Sequence, residues 1–254
     1  MSPDVEGSDA GEFRPLEDWS ISAVNLPEHA VNAIHTDAGA RLAGYPRALV
    51  AGVSSYAVMT HAPTLAWGDS WLTGGGAHVR FAAPVFDEDP LDLLVVGDDT
   101  VELRVGGEPR ASCQFLLQGP TMTERTGERL APWRFEPGVD WSTYGDRLGD
   151  RVGRFRERGL IHPAAFVAFA NEIFHAQLVA GSWIHTRSLI AHHGTVSLGE
   201  TITIDTTVID RFDSRAGKRA VADVRVTADG RPIASIEHEA VIELHAPPVS
   251  PQGR

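Results

Sequence analysis

The chain has 254 residues, 43% of them hydrophobic, enough for one large core or two modest ones at roughly 100 to 150 residues per domain. Its 34 acidic residues against 22 basic ones leave a net charge of −12 at pH 7, which argues against nucleic acid as the main partner. A single cysteine, Cys113, excludes an internal disulfide and a multi-cysteine metal site, and no apolar run approaches the roughly 20 residues needed to cross a bilayer.

Residues 1–14 are polar and glycine-containing, read as a disordered tail without the pattern of a secretory signal, so the expected compartment is a reducing cytoplasm. Residues 16–26 carry a weak strand pattern. Residues 32–56, NAIHTDAGARLAGYPRALVAGVSSY, depart from generic globular sequence. Asn32 and His35 stand three apart, and a short helix signal comes next, with Thr36 as N-cap, Asp37 in the first turn and Gly44 as terminator. An apolar helix is expected over 48–67, interrupted by Pro63 and wrapped by other structure. At its head Gly52 lets a ligand approach the backbone, and Gly52 and Val53 offer free N–H groups. Short alternating segments at 79–86, 91–96, 100–105 and 110–117 read as antiparallel strands.

Residues 119–159 are rich in Gly, Pro and charge and read as a connection with room for the first strand of the second half. A second apolar helix is expected over 162–179, with Pro163 at its first position. Strands at 183–191, 201–212, 219–228 and 232–244 come next, with a strong hairpin signal at Asp229-Gly230. Residues 247–254 read as another disordered tail. Helix followed by strands thus occurs twice, giving an α+β fold of double-hotdog type. Its units are expected at 15–120 and 161–246, joined by 121–160, as an internal pseudo-dimer for which further oligomerisation is optional.

The run Asn32-x-Ile34-His35-Thr36-Asp37, then Ala43-Gly44-Tyr45-Pro46 and Leu49-Val50-Ala51-Gly52, resembles the loop of the MaoC-like dehydratases and (R)-specific enoyl-CoA hydratases. That family's pattern is Gly-Asp-x-Asn-Pro-(Ile/Leu)-His, then Gly-Phe-Pro, then Ala-His-Gly at the head of a long buried helix. Here Ala30 stands where the family carries its catalytic Asp, Ala33 replaces the Pro, and Ala51 replaces the second His. The resemblance implies a substrate that is an acyl-CoA or acyl carrier protein thioester, with no cofactor and no metal. It also implies water addition or removal at a 2-enoyl group, His35 as general base and acid, and backbone N–H groups polarising the thioester oxygen.

Within this reading Asn32 orients the water or the imidazole, and Asp37 is the candidate partner of His35. Glu28 and His29 are close enough in sequence to stand in for the missing carboxylate, although loop residues of this kind are ordinarily solvated. Arg41, Arg47 and Arg80 are candidates for the phosphates of coenzyme A, because guanidinium forks suit phosphate oxygens. Asn171, Glu172 and His175 form a polar stripe on one face of the second helix, an alternative site. On the same fold Glu172 could serve a thioesterase. The third reading is a non-catalytic acyl-binding or assembly protein whose site has decayed at Ala30. His185, His192 and His193 are read as packed or solvated, since adjacent histidines without a carboxylate are weak evidence for zinc.

Overall fold

In the segment Thr100–Val105 the side chains of Val101 and Leu103 are buried while their neighbours stay more open, the two-residue period of a strand with one face in a core. This pattern recurs along the chain. The structure, a computed structural model, describes residues 14–245; the tails expected at 1–14 and 247–254 lie outside it apart from Arg14.

The strands are β1 (Trp19–Ser22), β2 (Gly76–Phe81), β3 (Pro90–Val96), β4 (Thr100–Val105), β5 (Glu108–Leu116), β6 (Glu128–Arg129), β7 (Trp133–Phe135), β8 (Ile184–His192), β9 (Ile202–Ser214), β10 (Gly217–Ala228) and β11 (Arg231–Leu244). All pair antiparallel in one sheet of order β1-β3-β4-β5-β2-β8-β11-β10-β9-β6, with β7 also on β9. The seam between the two halves is the β2–β8 pair, which runs in register from Gly76 opposite Ala191 to Arg80 opposite Arg187. Glycine is required there: a Cβ on Gly76 would meet the Ile190 carbonyl oxygen at 2.4 Å. The segment read as a connection contributes β6 and β7 to the far edge. It also supplies two short helices, α4 and α5 below.

Among the described residues six α-helices accompany the sheet: α1 (Asp37–Leu42), α2 (Gly52–Met59), α3 (His61–Gly74), α4 (Tyr144–Arg147), α5 (Arg154–Arg158) and α6 (Ala164–Gln177). Every residue of α2 from Val53 to Met59 is buried, and α2 packs against α6, whose own buried face runs from Ala164 to Ala170 and on to Ile173 and Phe174. The single helix expected over 48–67 is corrected in two ways. Residues 48–51 are extended, with Leu49 bridged to Phe86 and the Val50 N–H donating to the Val85 carbonyl at 2.8 Å. The helix then breaks after Met59 and restarts, placing Pro63 in the first turn of α3, where its missing N–H costs nothing. No helix among the described residues is long and apolar enough to cross a membrane.

The turn that leads into α1 is held by local contacts. Thr36 caps α1 by accepting from the Gly39 N–H at 3.2 Å, and its hydroxyl donates to the Ala33 carbonyl at 2.8 Å. Gly39 lies so close to this turn that a Cβ would sit 2.1 Å from the Ala33 oxygen. Gly39→Ala must therefore displace the turn that carries His35. A destabilisation of about 1–3 kcal/mol, the range for overpacking, is the expected result in urea unfolding. An unchanged midpoint would mean that the turn yields freely.

Candidate active site

Where the first-half loop meets α2, α4 and α6, a cavity of about 750 Å³ opens. Part of its wall is apolar, formed by Val50, Val53, Phe81, Val85 and Ala168, and polar side chains from both halves of the chain line the rest.

His35 is the first of them. Its Nδ1 lies 2.8 Å from the Leu49 carbonyl oxygen, so Nδ1 carries the proton and donates, which leaves Nε2 as an acceptor without a protein partner among the described residues. The tautomer is fixed by that bond, since a carbonyl cannot donate. The backbone of His35 is held in turn by Asn25, whose Nδ2 donates to the His35 carbonyl at 3.1 Å. Burial lowers the His35 pKa, an effect partly offset by the Leu49 carbonyl, so the ring is neutral at pH 7. Among the described residues no carboxylate is hydrogen-bonded to this ring.

Gly52 and Val53 line the same cavity at the head of α2. Ala51, the N-cap, offers no side-chain acceptor, so the first-turn N–H groups are not capped from within the helix. They form the positive end of an α-helix beside a neutral imidazole, an arrangement suited to a developing oxyanion.

Asn32 also lines the cavity, but its carboxamide is occupied. Nδ2 donates to the Trp183 carbonyl at 3.0 Å and Oδ1 accepts from the Ile34 N–H at 3.4 Å, which ties the loop to the chain just before β8. The expectation that Asp37 partners His35 is corrected. Its carboxylate is largely exposed, accepts from the Ala48 N–H at 2.9 Å and pairs with Arg41 at 3.1 Å; those bonds hold its pKa down and keep it out of the cavity wall.

The arginines expected to bind phosphate are also elsewhere. Arg47 is paired with Asp89 at 2.9 Å and lies over the Phe86 ring, and Arg80 is exposed on β2; neither lines the cavity. The arginines that do are Arg110, Arg147 and Arg219. Arg147 is ion-paired with Glu28 and Arg219 with Glu239, whereas Arg110 has no carboxylate partner among the described residues.

The polar stripe of α6 reaches the cavity as expected: Asn171, Glu172 and His175 all line it. Glu172 is exposed by area, yet enough protein surrounds it to push its carboxyl above the usual carboxylate range. Asn171 Oδ1 and His175 Nδ1 are buried without a protein partner among the described residues.

Sequence reasoning missed Tyr144, Ser54 and the role of His29. The Tyr144 hydroxyl lies 2.8 Å from His29 Nε2 and 2.9 Å from Ser54 Oγ, and Ser54 Oγ lies 3.3 Å from His29 Nε2. His29 and Tyr144 line the cavity, and the His29 ring stands edge-on to His35 with centroids 6.1 Å apart. Ala30, one residue after His29, is exposed and lies outside the cavity wall. Only an unusual Tyr in a segment otherwise read as linker could have signalled α4, and one sequence gives no reason to select it.

Neither a protein-family model nor a curated protein matches the sequence. Solved structures do match in shape. A conserved hypothetical protein from Mycobacterium tuberculosis, described as essential for survival during infection and as having a double hotdog fold, aligns with a TM-score of 0.61 at 12% identity, over 90% of this chain and 96% of its own. A protein from Chloroflexus aurantiacus described as a MaoC domain dehydratase gives 0.57 at 11% identity, over 94% and 99%. One from Lactobacillus plantarum described as an oleoyl thioesterase gives 0.54 at 8% identity, over 91% and 97%. At these identities the likeness concerns architecture, and it establishes that this chain has the double hotdog fold.

Proposed function

We propose that the protein processes acyl thioesters, and specifically that it adds water to, or removes it from, a 2-enoyl thioester. The observation that carries this reading is the setting of His35: a neutral imidazole with Nδ1 pinned to the Leu49 carbonyl and Nε2 left to act at the uncapped head of α2. The thioester oxygen would accept from the Gly52 and Val53 N–H groups, polarising the conjugated chain. The acyl chain would lie along the apolar wall. Arg110, a cavity cation without a carboxylate partner among the described residues, is the group suited to the phosphates of coenzyme A or of a carrier protein's phosphopantetheine.

One base is enough for this chemistry. Water gives a proton to His35 Nε2 as its oxygen bonds to C3, and the same nitrogen returns that proton to C2. No carboxylate has to take part, and no resident cofactor is needed. Dehydration is the same sequence reversed.

A second reading, thioester hydrolysis, is favoured by the raised carboxyl pKa of Glu172 between the unpartnered Asn171 Oδ1 and His175 Nδ1. Product analysis separates the two. With a panel of 2-enoyl-CoA and saturated acyl-CoA substrates, hydration yields 3-hydroxyacyl-CoA and releases no thiol, and Glu172→Gln leaves it largely intact. Free coenzyme A, lost in Glu172→Gln, would instead establish hydrolysis. Tight binding of every acyl-CoA with no product would leave the acyl-binding protein as the answer.

A further inference from the structure

The triangle of His29, Tyr144 and Ser54 takes no part in single-base hydration by His35, yet it spends two hydroxyl side chains on one imidazole at the edge of the cavity. Hydrogen counting determines its direction. If Ser54 O–H donates to the Tyr144 oxygen and Tyr144 O–H donates to His29 Nε2, both hydroxyl protons are used. In the reverse order His29 Nε2–H donates to Tyr144, Tyr144 donates to Ser54, and the Ser54 proton has no acceptor in the triangle. The first order therefore places the His29 proton on Nδ1. That nitrogen has no protein partner among the described residues and is not enclosed. His35 is fixed in the same tautomer but is turned the other way, with Nδ1 consumed by Leu49 and Nε2 available.

Resting on the hydration reading, we propose that His29 is a second catalytic residue: its Nδ1–H donates to the oxygen of the attacking water, and later of the 3-hydroxyl, while His35 Nε2 takes the proton from that same oxygen. Tyr144 and Ser54 are positioning residues that hold His29 in the donating tautomer. His29 gives up no proton in the step; it acts as a neutral hydrogen-bond donor and His35 alone shuttles the proton, so charge and atoms balance. Both rings stay neutral at pH 7, since burial and then the neighbouring His35 push His29 down to about 4. The 6.1 Å between ring centroids leaves room for one oxygen between the two rings. The group that faces His35 is thus His29, one residue before Ala30, and not a carboxylate at Ala30.

The test reads the tautomer and the rate separately. In long-range proton–nitrogen NMR of the intact protein at pH 7, His29 should show a protonated Nδ1 and a bare Nε2. Adding a 3-hydroxyacyl-CoA should shift the Nδ1 proton, and a saturated acyl-CoA of the same length should not. Tyr144→Phe should mix the His29 tautomers and lower kcat for a 2-enoyl-CoA about tenfold with little change in KM, the scale of one hydrogen bond. Ser54→Ala should move both readouts in the same direction by less. A wild-type His29 protonated on Nε2, an Nδ1 resonance indifferent to the 3-hydroxyl, or a Tyr144→Phe variant with unchanged kcat would each overturn the proposal. A wild-type protein that hydrates nothing but shows the 3-hydroxyl shift would overturn the hydration reading and leave the His29 contact standing.

Discussion

Replacing His35 by alanine is expected to lower kcat for hydration of a 2-enoyl thioester by about 10²–10⁴, the usual cost of removing a general base. The change should fall on kcat more than on KM, because Nε2 meets the water in the transition state while the acyl chain is held by the apolar wall and the head of α2. Folding should survive. The variant loses one hydrogen bond, to the Leu49 carbonyl, worth about 1 kcal/mol, and the loop keeps its anchors through Asn32 to Trp183 and Thr36 to Ala33.

A pH profile adds a second readout. The base must be neutral, and burial lowers the His35 pKa, so the acid limb of kcat/KM should lie below the 6.5 of a free imidazole and activity should be flat above it. A variant as active as the parent would eliminate His35 from the mechanism. A limb at 6.5 or above would mean that the ring is solvated.

Acidification from pH 7 to 4 is expected to unfold the protein, because several imidazoles are buried neutral. His162 and His192 are held at about 4 and His185 at about 3, in each case chiefly by burial, and all three are almost inaccessible to solvent. Between about pH 6.5 and 4 the unfolded chain protonates these rings and the folded one does not. Stability is therefore complete above 6.5 and falls as pH drops, by up to about 1.4 kcal/mol per unit for each ring.

Down to pH 4 this amounts to about 3 kcal/mol per ring, or roughly 10 kcal/mol together, comparable to the 5–15 kcal/mol stability of a typical domain. Carboxylates held low by hydrogen bonds, as Asp150 is, or by arginine partners, as Glu237 and Glu239 are, add to the loss further down. Glu172, held high, acts in the opposite direction. Urea unfolding at a series of pH values should show stability dropping steeply below pH 6.5. In His162→Gln the slope should be shallower by about one ring's share. A stability unchanged down to pH 4.5 would refute the assignment of these rings as neutral.

Much of the architecture is legible in local pattern, and the reason is physical. Strand β4 is readable at its observed bounds because Val101 and Leu103 alternate with polar neighbours. Helix α6 is readable to within two residues because nine of its positions face the core while Asn171, Glu172 and His175 do not. The Thr36 cap is legible because a hydroxyl three residues before Gly39 has few other uses. Each of these signals acts over a turn of helix or a pair of pleats, a range that sequence spacing encodes directly.

What the amino-acid sequence determined by itself was this set of elements and the presence of His35 in a loop ahead of a buried helix head. Tertiary structure alone decided what surrounds that imidazole. Tyr144 reaches His29 across 115 positions and Ser54 across 90, and Asn32 reaches Trp183 across 151. Asp37, two residues from His35 in sequence, turns away because Arg41 and the Ala48 N–H satisfy it locally. Periodicity determines which face of an element seeks burial, but the partner that meets it depends on the β2–β8 seam and the packing of α2 on α6. Those contacts join distant parts of the chain, and no local spacing records them.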